Sequence, residues 1–109
     1  TGISFLEEPD TSFFSNYWLT TILLDPEKTG RTPLALQAEL EKENIEARPL
    51  WKPMHQQPVF SFCPKYLNGN SDRLFTRGLC LPSGTNMSKK DQRRVINILL
   101  KHLNKIYDK

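Results

Sequence analysis

The 109-residue sequence has few of the residues that build metal centres and disulfide frameworks. Its two cysteines, Cys63 and Cys80, do not form a Cys-x-x-Cys motif, and its two histidines are His55 and His102. Zinc sites and disulfide-stapled folds use more of these residues at closer spacing. We therefore expect no bound metal, no disulfide framework and two ordinary reduced cysteines.

Two further classes of protein are excluded by what is missing. The five glycines are scattered, so neither a dinucleotide-binding fingerprint nor a P-loop occurs. No apolar run approaches the roughly 20 residues that span a bilayer, and the amino end shows no export signal. We predict a cytoplasmic protein with no membrane partner. Because the first residue is Thr1 and not Met, we expect a piece of a longer protein.

Positive charge is in small excess, since 15 Lys and Arg against 12 Asp and Glu give a net charge of +3. Basic and acidic residues are mixed except near the carboxyl end, where the basic cluster comprises Lys89, Lys90, Arg93, Arg94, Lys101, Lys105 and Lys109. This pattern predicts the solvated face of a helix, with His102 also in solvent, and no nucleic-acid partner. The alternative is a nucleic-acid-binding module that uses this helix, with strongly salt-dependent affinity.

The hydrophobic pattern predicts one domain over residues 1–109, in which strands and helices are mixed. Residues 1–14 show little periodicity and are expected to form an irregular lead-in. Strands are predicted at 17–24, 45–50 and 78–82, where apolar, aromatic or β-branched runs end at turn residues. Because a helix separates the first two strands, the order favours the α/β class, of the α+β type.

Three helices are predicted from capping residues and apolar spacing. Each begins at a Ser or Thr whose side chain can accept a backbone hydrogen bond. The first cap precedes a proline, and the last is followed three residues later by Asp91 in a capping-box-like pair. The predicted starts and ends are Thr32 to Asn44, Ser71 to about Arg77, and Ser88 to about Ile106.

The segment after the second predicted strand combines side chains that suit a ligand site. Arg48, Trp51, Lys52 and His55 bring cations, an indole and an imidazole into a loop stiffened by prolines. A structural alternative stays open, in which Trp51 and Met54 plug the edge of the core and Arg48 pairs internally. Lys52 is not expected to form a Schiff base, because nothing nearby in the sequence would activate it.

Three segments, in order along the chain, resemble a known family. Residues 15–20 read Ser-Asn-Tyr-Trp-Leu-Thr, residues 45–58 read Ile-Glu-Ala-Arg-Pro-Leu-Trp-Lys-Pro-Met-His-Gln-Gln-Pro, and residues 78–84 read Gly-Leu-Cys-Leu-Pro-Ser-Gly. With these segments the chain resembles the C-terminal, small domain of the pyridoxal-phosphate-dependent sugar aminotransferases of the DegT/StrS type. The middle segment is the specific one, and it looks most like members that aminate a nucleotide-linked 4-keto-6-deoxy sugar.

The resemblance implies a fold, a cofactor and a reaction for a longer parent protein. The fold would be a small antiparallel or mixed sheet flanked by helices, which covers the active site of a fold type I aminotransferase. The parent would be a homodimer that uses pyridoxal 5'-phosphate, with glutamate as amino donor and the nucleotide sugar as acceptor. The cofactor would lie in a preceding large domain, so this chain alone would bind no cofactor, contain no catalytic residue and be inactive.

The resemblance also implies substrate-side roles for Arg48, Trp51, Lys52 and His55. Arg48 would pair with a carboxylate or phosphate, and Trp51 would stack on an apolar face of the sugar or cofactor. Lys52 and His55 would contact diphosphate or hydroxyl groups. Many relatives have an arginine where Tyr17 stands, so no charge-based role passes to that position. The alternative is a non-catalytic interaction domain that uses the loop at 51–62 as an apolar docking surface.

Overall fold

A four-stranded antiparallel sheet forms the centre of the computed structural model, which describes residues 2–103. The strands are β1 (Ile3–Phe5), β2 (Thr20–Leu24), β3 (Arg48–Pro49) and β4 (Gly78–Leu81). Their spatial order is β1-β2-β4-β3, with hydrogen bonds between all neighbours. The predicted fold class, with a small antiparallel sheet and helices beside it, is confirmed.

The amino-terminal segment differs from the prediction of an irregular lead-in over residues 1–14. That prediction is wrong for Ile3–Phe5, which pairs antiparallel with β2 so that Ile3 lies opposite Leu24. The backbone N–H of Asp25 also donates to the carbonyl of Gly2 at 2.8 Å. A three-residue edge strand has too few residues to show a period of two. Its pairing partner also lies elsewhere in the sequence, so no local pattern predicts it.

The central strand begins three residues later than predicted, at Thr20. Tyr17 has a φ of 50°, which is in the left-handed region and interrupts an extended strand. Side chains hold this turn, since Ser15 Oγ accepts from the N–H of Tyr17 and Asn16 Oδ1 accepts from the N–H of Trp18, each at 3.1 Å. Short polar side chains of this type favour turns over strands by bonding to the backbone.

In the described part of the chain, four helices accompany the sheet: α1 (Pro26–Thr29), α2 (Pro33–Lys42), α3 (Asn70–Arg77) and α4 (Lys89–Leu103). The predicted start of α2 is confirmed, because Thr32 Oγ1 accepts from the N–H of Ala35 at 3.2 Å. The capping box of α4 is also confirmed. Ser88 Oγ accepts from the N–H of Asp91 at 3.2 Å, and Asp91 Oδ2 accepts from the N–H of Ser88 at 3.1 Å. The predicted end near Ile106 lies outside the described residues.

Two predicted boundaries are corrected. Helix α3 begins at Asn70 after Gly69, whose φ is 77°, so Ser71 lies inside the helix and does not cap it. The predicted strand over 45–50 is reduced to Arg48–Pro49. The residues before it are hydrogen-bonded to α2: Ile45 donates its N–H to the carbonyl of Leu40, and the Ala47 carbonyl accepts from the Gln37 side chain.

The core lies between the sheet and helices α2 and α4, which contact each other. Its buried residues are Ile22, Leu24, Leu36, Leu40, Ile45, Ala47, Leu79, Val95, Leu99 and Leu103. On β2 the buried residues are two apart, and on α4 they are four apart, as the two backbone periods require. Among residues 2–103, no helix is both long and apolar enough to cross a membrane.

His102 is directed inward, and its predicted solvation is wrong. Its side chain is 12% exposed, and its Nε2 lies 3.8 Å from Glu39 Oε2 on α2. The guanidinium of Arg31 donates from Nε to the His102 carbonyl at 3.1 Å. The spacing of three from Leu99 to His102 already places both residues on one helix face.

Candidate functional site

Strand β3 and the residue after it fix the start of the predicted ligand loop. Arg48 lies opposite Cys80 and Pro49 opposite Leu79 in the ladder with β4. Leu50 then packs over Gly78 so closely that a Cβ on the glycine would lie 2.1 Å from Leu50 Cδ1. The loop therefore leaves the sheet from a position that pairing and packing both hold.

The loop itself consists of successive turns. Pro53 is buried, and 3₁₀ turns follow at Met54–Gln56 and Pro58–Phe60. Backbone hydrogen bonds close these turns, including Gln56 N–H to the Pro53 carbonyl at 2.9 Å. The segment is irregular, as predicted, but its backbone is repeatedly hydrogen-bonded to itself.

Arg48 is exposed on the edge strand and pairs with a neighbouring acid. Its Nε donates to Glu46 Oε1 at 2.7 Å, and its terminal nitrogen donates to the same oxygen. Exposed pairs of this kind contribute at most about 1 kcal/mol. A ligand carboxylate or phosphate could therefore replace Glu46 and use both donors of the guanidinium.

Four exposed aromatic side chains form two pairs, Phe14 with Tyr17 and Trp18 with Trp51, which together we call the aromatic surface. The rings of Trp18 and Trp51 are tilted by 40° with centroids 6.4 Å apart. Both residues remain largely exposed, at 70% and 68%. Trp51 therefore does not plug the edge of the core. Two segments more than 30 positions apart in the sequence thus meet at one surface.

Lys52 is exposed beside Trp51, and its carbonyl accepts a hydrogen bond from the Gln57 side chain at 3.2 Å. Across residues 2–103, no acidic side chain forms a salt bridge with Lys52. An exposed ammonium group without an enclosing pocket does not fit the aldehyde of pyridoxal phosphate, which needs a desolvated lysine. Lys52 therefore does not supply such a lysine in this structure.

His55 is placed differently from the other three predicted site residues. Its side chain is only 16% exposed, and its Nε2 lies 2.7 Å from Asp72 Oδ1 in the first turn of α3. Gln56 Nε2 donates to the same oxygen. The hydrogen bonds from Gln56 and from His55 lower the pKa of Asp72 below the ordinary aspartate value.

Arg48, Trp51 and Lys52 are thus all exposed in the short segment that begins at the edge strand β3, which we call the exposed edge, while His55 faces α3. Sequence reasoning missed Asp72, which lies 17 positions from His55. Its acidic character in the first turn of a helix is also explained by the helix dipole, so the sequence carried no separate signal for a partner role.

The two cysteines show no sign of nucleophilic chemistry. Both are free and half-buried. Burial raises the pKa of the Cys80 thiol, which disfavours the reactive thiolate. Cys80 therefore does not compete with the exposed edge as a candidate site.

The exposed cations at the start of α4 have acidic neighbours. Lys89, Lys90, Arg93 and Arg94 are all exposed. Arg94 donates to the Glu43 carbonyl, and its guanidinium lies 3.9 Å from the Glu43 carboxylate. This arrangement agrees with the predicted solvated helix face.

Comparison with known proteins identifies the class of domain. Residues 2–100 match the DegT/DnrJ/EryC1/StrS aminotransferase family. The chain belongs to this family.

Two curated relatives and one solved structure narrow the comparison. The chain is 46% identical over 103 residues to the putative pyridoxal phosphate-dependent aminotransferase EpsN of Bacillus subtilis (strain 168). This match covers 91% of this chain and 26% of that protein. It is 31% identical over 92 residues to the GDP-perosamine synthase of Vibrio cholerae, across 84% of this chain and 25% of that protein. The crystal structure of DesI with its TDP-sugar product matches 95% of this chain and 27% of that chain, with a TM-score of 0.80 and 24% identity.

The chain spans about a quarter of the length of the curated relatives it matches, at 26% and 25%. What it shares with them is therefore a part of each relative and not its whole length. The structural likeness to DesI supports the fold of that part.

Proposed function

We propose that this chain is the C-terminal, small domain of a cytoplasmic pyridoxal-phosphate-dependent aminotransferase. The parent enzyme transfers the amino group of glutamate to a nucleotide-linked 4-keto-6-deoxy sugar. The observation that carries the proposal is the exposed edge formed by Arg48, Trp51 and Lys52 in a domain of this family. A cation pair beside an indole suits a ligand that combines negative charge with a sugar ring.

The names of the relatives support a sugar-nucleotide substrate. One relative is named a GDP-perosamine synthase, and the DesI crystal structure is described with a TDP-sugar product. The nucleotide differs between these two proteins, so the proposal names the keto sugar and leaves the nucleotide open. EpsN, named as a putative pyridoxal phosphate-dependent enzyme, supports the cofactor of the parent.

Within that enzyme, the side chains of this domain bind and orient the substrate and exclude water. Arg48 exchanges Glu46 for a ligand carboxylate or phosphate, and Trp51 covers an apolar face of the sugar. Lys52 adds positive charge for the diphosphate. Pyridoxal phosphate, bound elsewhere in the parent, supplies the electron sink for nitrogen transfer. The chain alone is therefore expected to be inactive.

The aromatic surface supports a parent in which more protein covers this domain. An exposed apolar group of this kind is unusual on a monomeric soluble protein and marks a site of contact. We propose that the rest of the parent chain and a second subunit of a homodimer cover part of it. Sedimentation of the intact parent distinguishes a dimer from a monomer.

An absorbance spectrum of the intact parent tests the proposed function. We expect a visible chromophore in the purified protein and a spectral shift when glutamate is added, because amino transfer changes the conjugation of the cofactor. Reversal of the shift by a nucleotide-linked keto sugar would identify the acceptor. A protein without a chromophore, or a chromophore that does not respond to any amino donor, would overturn the proposal.

A further inference from the structure

Two hydrogen-bond donors of the loop converge on one oxygen of helix α3. His55 Nε2 lies 2.7 Å from Asp72 Oδ1, and Gln56 Nε2 donates to the same atom. Both His55 and Asp72 are half-buried, so the contact is partly shielded from water. This contact ties the middle of the ligand loop to an element that packs beside β2.

The protonation of this group follows from its geometry. The pKa of Asp72 is lowered, first by the Gln56 hydrogen bond and then by that of His55, so Asp72 is a carboxylate at neutral pH. A carboxylate only accepts hydrogen bonds, so the ring nitrogen that faces it, Nε2, must carry a hydrogen. In a neutral imidazole the other nitrogen, Nδ1, is then the unprotonated acceptor.

The acceptor nitrogen is free to meet a ligand. Within residues 2–103, no side chain or backbone group is hydrogen-bonded to Nδ1 of His55, and no buried side-chain nitrogen or oxygen is left without a partner. Nδ1 therefore reaches solvent. His55 also lines a shallow depression, whose other residues include the apolar Met54, Phe60 and Leu67 and the cationic Lys65.

We propose that Asp72 is a positioning residue that fixes the ring and tautomer of His55, so that Nδ1 accepts a hydrogen bond from a hydroxyl of the nucleotide sugar. The inference rests on the proposed function and assigns His55 to a neutral donor of the ligand in preference to its diphosphate. A depression lined mainly by apolar side chains, with the imidazole of His55 beside them, suits a deoxy-sugar ring, which presents a methyl group beside hydroxyl donors.

Two substitutions of His55 separate its contacts in the intact parent enzyme. His55→Gln keeps a donor where Nε2 lies and removes the acceptor, whereas His55→Asn keeps a polar atom near Nδ1 and removes the contact with Asp72. If Nδ1 binds the sugar, His55→Gln raises the KM for the keto sugar about tenfold, the factor expected for one lost hydrogen bond with a polar ligand. Unchanged KM in His55→Gln would overturn the inference.

A double-mutant cycle tests whether Asp72 acts through His55. Asp72→Ala is expected to raise the same KM about tenfold, and Asp72→Glu is expected to restore much of it. In a His55→Ala background, Asp72→Ala should add little, because its only route to the ligand has been removed. Additive effects would show an independent, merely structural role and overturn the positioning assignment. Asp91→Ala, also in the first turn of a helix, is the matched control and should leave the KM unchanged.

A spectroscopic readout keeps this inference separate from the proposed function. In ¹⁵N-histidine-labelled parent protein at alkaline pH, the ring of His55 should carry its hydrogen on Nε2. A hydrogen on Nδ1 would overturn the inference even in an active aminotransferase. Conversely, an Nε2–H signal in a protein with no response to glutamate would contradict the proposed function and leave the Asp72 contact intact.

Discussion

The core and the aromatic surface differ in how far their apolar side chains are exposed to solvent. In the core, Leu36 of α2 is 0% exposed and belongs to one cluster with buried residues of β2, β4 and α4. On the aromatic surface, Phe14 is 87% exposed, and its ring lies edge-on to that of Tyr17 with centroids 6.4 Å apart. Burial of apolar area stabilises the first region and contributes little in the second. The fold of this chain therefore explains the side chains of the core and does not account for those of the aromatic surface.

The sharpest test of this contrast lies within one helix. Leu36→Ala should lower the free energy of unfolding by about 3 kcal/mol, because it leaves a cavity in the core. Leu34→Ala, two positions earlier in α2 and 74% exposed, should change it by less than about 0.5 kcal/mol. Urea denaturation of the chain measures the free energy of unfolding of both variants, and equal effects would contradict the distinction between the buried core and the exposed surface.

Gly78 lies where the sheet meets the start of the ligand loop, because it is in β4 directly under Leu50. Gly78→Ala should cost about 2 kcal/mol, because the new methyl group would also lie 2.7 Å from the Leu74 carbonyl oxygen, where the backbone cannot easily yield. Gly84→Ala is the matched control, since only the flexible end of the Asn86 side chain is near it. Thermal unfolding compares the two, and a Gly78→Ala variant as stable as the control would contradict this packing.

Substitutions of Arg48 and of its partner Glu46 distinguish an internal ion pair from a ligand contact. In the intact parent, Arg48→Ala should raise the KM for one substrate about tenfold, through loss of a charge-assisted hydrogen bond. Glu46→Ala removes the same exposed pair but no ligand contact, so its KM should stay the same or fall. Steady-state kinetics with each substrate varied in turn provide the comparison. Equal increases in both variants would assign Arg48 to the fold.

The smallest expected effect is on acid stability. The Ser88 hydroxyl, and then its backbone N–H, lower the pKa of Asp91, and Asp72 is shifted in the same direction. A carboxyl whose pKa is lower in the folded state stabilises the fold above its ordinary value and loses this contribution as pH falls through the folded value. Below about pH 4, Asp91→Asn and Asp72→Asn should therefore weaken the decline of stability with acid. Urea curves at successive pH values measure the slopes, and slopes equal to the wild type would contradict the assignment.

Local signals made the helices of the core predictable. Thr32 and Pro33 define the start of α2, and Ser88 with Asp91 defines the start of α4, because each cap acts within four residues of itself. Strand β1 was not predictable in this way, since only its pairing with β2 makes it a strand. The bend at Tyr17 likewise depends on side-chain hydrogen bonds that compete with the strand pattern.

The candidate site was predictable to a lesser degree. Arg48, Trp51, Lys52 and His55 could be chosen from one short segment and from the family resemblance. Their division into three exposed residues and one that faces α3 depends on contacts between distant segments. The Trp18–Trp51 contact has the same origin, because no local rule joins residues on separate elements. Tertiary packing therefore decides which way each predicted side chain is directed.

The most direct test of the account is a single-turnover absorbance measurement on the parent enzyme with Trp51→Ala, beside the wild type. The two halves of the reaction are followed separately, first with glutamate and then with the keto sugar. If the exposed edge faces the sugar, the half-reaction with the keto sugar slows about tenfold and the half-reaction with glutamate keeps its rate. Unchanged rates in both halves, or equal slowing of both, would contradict the claim that this edge binds the sugar.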